Sequence, residues 1–99
     1  MKRFFISQPM NGRTDEAIKG ERQEIVDAIV EEYGENVEII DSFFEGAPYN
    51  AAPLWFLGKS LELLSTADAV FFAEGWEQAR GCRMEHAAAQ AYEIEIIHD

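Results

Sequence analysis

The feature that most limits what this chain can fold into is an alternation of hydrophobic periods along its length. Arg3–Ser7 (RFFIS) is a short apolar run bounded by a loop, the pattern of a buried strand. Gln8–Arg13 (QPMNGR) carries Pro, Asn and Gly and reads as a loop. Thr14 is placed to cap a helix, with Asp15 and Glu16 in the first turn, where the helix dipole favours acids. Ile18, Ile25, Val26, Ile29, Val30 and Tyr33 then recur at helical spacing until Gly34, a helix stop. Val37–Asp41 (VEIID) alternates as a second strand. The loop Ser42–Ala52 contains Phe43, Phe44 and Tyr49, aromatics that either form a lid or interface or fold back onto the core. Pro53 suits the first turn of a second helix, whose stripe of Leu54, Leu57, Leu61 and Leu64 reads as core. Ala69–Phe72 is a third strand, Glu74–Arg80 a loop, Gly81–Tyr92 an alanine-rich helix and Ile94–Ile97 a fourth strand.

Strands alternating with helices make parallel βαβ units. The expected architecture is an α/β, three-layer, doubly wound parallel sheet of about four strands in the order 2-1-3-4. Ligands of such sheets bind beyond the carboxyl ends of the strands, where the strand order reverses. That point lies between strands one and three, so the loops Gln8–Arg13 and Glu74–Arg80 border the expected site.

At 99 residues the chain makes one domain, and 47% hydrophobic residues place it among globular proteins. So short a chain leaves apolar surface partly covered, which predicts a homo-oligomer. The net charge of -11, from 19 acids against 8 bases, argues against nucleic acid as a partner. It leaves open a small nucleotide held in a pocket. The single cysteine, Cys82, permits no intramolecular disulfide, and His86 and His98 have no zinc-ligand spacing. No metal and no cofactor are expected. The absence of a long apolar run predicts no signal peptide and no membrane span, hence a cytoplasmic protein.

Several residues near the expected site carry chemistry. Glu85 follows the second loop early in the third helix, where the dipole would keep it ionised and ready to attack a sugar carbon. A first-turn Glu that merely complements the dipole is the alternative. Asp68, before the third strand, either donates a proton to a leaving base or ends the preceding helix. Ser7, Gln8, Pro9 and Met10 form the first strand-to-helix turn and would present amides and small polar groups to a ligand. Gly12 permits a tight turn, and Arg13 either reaches an anion or stays solvated. In the second loop Gly75 precedes Trp76, an indole that either stacks on a base or anchors packing. Arg80 and Arg83 flank Gly81 and either read a phosphate or pair with Glu77 and Glu85. Cys82 reads as packing, and His86 points away from Glu85.

The segments FFISQPMNG, STADAVFFAEGW and GCRMEHAAAQAYEIEII resemble the nucleoside 2-deoxyribosyltransferase superfamily over nearly the whole chain, most closely its short bacterial and phage branch. In that superfamily an Asp precedes a buried strand and a Gly-x-x-x-Glu helix start carries the nucleophile; Asp68, Gly81, Glu85 and Ala88 match. The resemblance implies a flavodoxin-like sheet, a homo-oligomer with sites near subunit interfaces, and a nucleoside or nucleotide ligand. It makes Glu85 the nucleophile and Asp68 the acid that contacts the base. The chain departs from the pattern in having Gln8 where Gly is common, in lacking an additional Asp before the nucleophile, and in its shortness. Two functions therefore stand side by side: an N-glycosidic bond enzyme, by deoxyribosyl transfer or hydrolysis, and a non-catalytic oligomer that sequesters or senses a nucleotide. A purely structural oligomer built on the loop aromatics is a third.

Overall fold

The computed structural model describes residues 1–42 and 49–98. Its elements are β1 (Lys2–Ser7), α1 (Asp15–Tyr33), β2 (Val37–Ile39), α2 (Pro53–Leu64), β3 (Ala69–Phe72), α3 (Arg80–Ala91) and β4 (Glu95–His98), with a 3-10 turn at Trp76–Gln78. The four strands pair in parallel in the order β2-β1-β3-β4, the order expected from the alternation.

Each boundary has a local cause. Thr14 caps α1 by accepting from the Ala17 amide at 3.1 Å. Gly34 ends the helix at φ 81°, a backbone conformation that favours glycine. The second strand stops at Ile39, before the expected Asp41, because Arg22 takes the Ile40 carbonyl at 2.7 Å and the ladder closes there. β4 begins at Glu95 because the Ile94 amide bonds back to the Ala89 carbonyl, completing the exit from α3. Whether Phe43 and Phe44 form a lid lies outside the described residues.

The period of two along each strand divides the core into two layers. Phe4, Ile6, Ala69 and Phe71 face α1, where they meet Ile25 and Ile29. Phe5, Val70 and Phe72 face the other way, onto Leu64 of α2 and Ala89 of α3. Phe4, Phe5 and Phe72 are fully buried, and each contributes about 1.5–3 kcal/mol by leaving water. The result is a flavodoxin-like sheet with helices on both faces. Among the described residues no helix is long and apolar enough to cross a membrane.

Candidate functional site

The alternation that builds the core also aims the last residues of β1. Ser7 shares the parity of Phe5 and faces the α2–α3 layer; Gln8 shares the parity of Phe4 and Ile6 and turns towards α1. On α3 the buried positions Cys82, Glu85 and Ala89 fall on one helical face, against the sheet. The two patterns meet at the carboxyl end of β1. There the Ser7 hydroxyl donates to Glu85 Oε1 at 2.7 Å, with both residues buried.

Burial pushes the Glu85 carboxyl group above its ordinary range, while contacts from the Ser7 and Ser60 hydroxyls pull it back by favouring the charged form. Removal from water therefore outweighs the two hydroxyl contacts at this group. Cys82 beside it is pushed up to about 11 by the same burial, against a smaller opposing effect of Ser7. Its thiol stays protonated and is a packing group.

A cleft of about 1260 Å³ opens over the Ser7–Glu85 pair. Of the residues expected at a ligand, Ser7, Gln8, Met10, Arg13, Arg80, Gly81, Arg83 and Glu85 line it. Pro9, Gly12, Gly75 and Trp76 are not part of that lining. Pro9 instead offers its carbonyl to Arg13 at 2.8 Å, and Gly12 and Gly75 hold positive φ at 77° and 86° in the two turns.

Asp68 sits at the wrong end of the sheet for the role expected of it. Its Oδ2 accepts from the Arg3 amide at 2.8 Å, and its own amide donates to the Arg3 carbonyl. Arg3 lies at the amino edge of β1 and Ser7 at the carboxyl edge, so four residues of strand, about 13 Å, separate the two carboxyl groups' anchors. Strand direction decides this: a residue just before a parallel strand always falls on the edge opposite the site. Asp68 ties β1 to the start of β3 and does not act with Glu85.

Trp76 lies outside this cleft and lines a separate concavity of about 420 Å³ with Gly75, Glu77 and His98. Its indole lies parallel to His86, with ring centroids 4.1 Å apart and planes 10° apart, and also contacts Phe72. His86 faces this cluster, away from Glu85, as its helical position requires.

The three arginines expected near a ligand divide into one that is braced and two at the cleft rim. Arg13 bonds Glu21 Oε1 at 2.9 Å, and the Gln8 side-chain amide donates to the same oxygen at 2.9 Å and to the Ile18 carbonyl at 3.0 Å. Arg13 is thereby held to α1. Arg83 donates to the Glu77 carbonyl at 3.2 Å rather than to either neighbouring carboxylate. Arg80 is exposed at the first turn of α3, whose N-cap Ala79 has no side chain to accept from the helix amides. This corner of an acidic protein can receive an anion.

The α2 wall was not foreseen. Leu54, Phe56, Leu57 and Ser60 line the cleft, so the leucine stripe is core only at its later positions, Leu61 and Leu64. The signal was present in Ser60, a polar residue three positions after Leu57 and four before Leu64, on the stripe itself.

A family model described as Domain of unknown function (DUF4406) matches residues 2–98, so the chain belongs to that family. No curated protein matches it.

Proposed function

We propose that this member of the family is an enzyme of the N-glycosidic bond of nucleosides or nucleotides, acting by deoxyribosyl transfer or hydrolysis with Glu85 as nucleophile. The observation that carries the reading is a buried carboxylate in an open cleft at the topological switch point of a parallel sheet. The resemblance to nucleoside deoxyribosyltransferases supports it independently, through Gly81 and Glu85.

In this reaction Glu85 attacks the anomeric carbon of the sugar. A carbon–oxygen bond forms as the carbon–nitrogen bond breaks, and its electron pair leaves with the base. With Asp68 at the far edge of the sheet, the departing base takes its proton from water. Water or a second base then attacks the same carbon from the opposite face and frees Glu85, giving net retention. The apolar wall of Leu54, Phe56 and Leu57 shields the intermediate, and Arg80 and Arg83 suit a ligand phosphate.

One observation favours the non-catalytic reading: Glu85 is the sole buried carboxylate among the described cleft residues, while Asp15 at the rim is exposed. Incubation with purine and pyrimidine deoxynucleosides and their monophosphates, followed by chromatography of free base, separates the two readings. Base release by the wild type that disappears in Glu85→Gln supports the enzyme. Strong thermal stabilisation by a ligand recovered intact supports sequestration.

The same reading includes a homo-oligomer in the cytoplasm. Met10, Leu54, Phe56 and Met84 are exposed apolar residues around the cleft mouth, where a second subunit would cover them. Light scattering on the purified chain tests this directly.

A further inference from the structure

We propose that Ser7 is the positioning residue of this site, its hydroxyl holding the Glu85 carboxylate turned into the cleft. The inference rests on the reading of Glu85 as nucleophile and explains how so buried a carboxyl group can serve as one.

The difficulty is physical. A nucleophilic carboxylate must be ionised, yet burial favours its neutral form. A neutral carboxyl group suits a proton donor, not an attacking group. Something must offset the lost hydration without blocking access to the sugar. The helix dipole cannot supply all of it, since Glu85 is in the second turn of α3, beyond the reach of the first-turn amides.

Ser7 meets the requirement by its place in the fold. It is the last residue of β1 and only 2% exposed, so its hydroxyl needs a partner. The strand is locked on both sides, by the Ile40 amide on Phe4 and by the Ala73 amide on the Ser7 carbonyl itself, each at 2.9 Å. The hydroxyl therefore comes from a fixed backbone, and its single proton is directed at Glu85 Oε1. That proton is not available to a ligand, which changes the role expected of Ser7 from ligand contact to support. Ser60 assists from α2, on a separate element, and gives a smaller effect.

The test follows the carboxyl carbon of Glu85 by NMR across pH, in the protein without ligand, with the resonance assigned by its loss in Glu85→Gln. Ser7→Ala should raise the midpoint of the Glu85 titration, Ser60→Ala should raise it less, and Ser7→Thr, which restores a hydroxyl, should return it towards the wild type. Base release from deoxynucleosides at pH 7 should fall roughly 10- to 100-fold in Ser7→Ala, chiefly in kcat, the scale of one hydrogen bond to a charged group. The acid limb of the pH profile should move upward with the NMR midpoint. An unchanged midpoint in Ser7→Ala, or a larger rise in Ser60→Ala than in Ser7→Ala, overturns the proposal. If Ser7→Ala does not fold, Ser7→Cys, which puts a weaker donor of similar size at the same place, decides by the same midpoint. If the wild type releases no base while the midpoint still moves, the nucleophile reading fails and the support of Glu85 by Ser7 stands.

Discussion

The Nε2 atoms of His86 and His98 lie 3.3 Å apart, and both imidazoles lie nearly parallel to the indole of Trp76, at 10° and 9°. This contact joins α3 to the end of β4, and as a hydrogen bond it requires one nitrogen to carry a proton and the other a lone pair. Two imidazolium rings cannot keep it.

Stability should therefore depend on pH through His86. Burial and the nearby His98 lower its pKa, against weaker upward effects of Gln90 and Glu77. A group depressed below its ordinary value of 6.5 contributes stability that is complete above that value and lost as pH falls through the folded-state pKa. Melting temperature measured from pH 8 to pH 5 should fall on the acid side. His98→Ala should flatten that slope; an equal slope in the variant rules the pair out as its source.

Glu85 should behave in the opposite sense. Its folded-state pKa is raised above 4.5, so its contribution to stability is complete below 4.5 and lost as pH rises through the raised value. Glu85→Gln, which keeps the shape and can still accept from Ser7, should raise Tm at neutral pH by a few degrees, the scale of about 1 kcal/mol in a domain this small. The same variant should lose base release. A lower Tm at pH 7 together with an unchanged Tm at pH 4 contradicts the burial argument.

Asp68 tests the division between the two edges of the sheet. Asp68→Ala removes the acceptor of the Arg3 amide and should cost about 1 kcal/mol in chemical denaturation. Base-release kinetics per folded molecule should be those of the wild type. A loss in kcat comparable to that of Glu85→Gln would return Asp68 to the chemistry.

Trp76→Ala should destabilise the fold by about 2 kcal/mol, less than the 3–5 kcal/mol of a fully buried aromatic because the indole is only half-buried. Its KM for deoxynucleosides should stay within about twofold, since the ring packs on Phe72 and His86 outside the cleft lining. A tenfold rise in KM would mean that the indole stacks on the base.

What the sequence disclosed follows from which interactions are periodic. The strand order and the place of the cleft came from alternating periods, because parity and helical pitch are set by backbone geometry. Thr14 and Gly34 were legible as caps because each answers a local demand. The place of Glu85 at the switch point was legible, but not the source of its charge balance, because the Ser7 bond joins positions 78 residues apart. Asp68 was misplaced although the needed rule was available: the residue before a parallel strand lies at its amino edge. Trp76 was legible only as two alternatives, since an aromatic after a strand has the same local pattern whether it meets a ligand or two histidines.

The brace of Arg13 and Gln8 on one oxygen of Glu21 has a consequence for how the cleft can change. Glu21 belongs to α1, on the far side of the sheet from Glu85, yet it fixes two side chains at the cleft. A neutral residue at that position would leave the Arg13 guanidinium on the Pro9 and Ala17 carbonyls alone and the Gln8 amide on the Ile18 carbonyl alone, with no alteration of Ser7 or Glu85. The outer helix thus sets, from behind the sheet, how firmly two side chains at the mouth of the cleft are held.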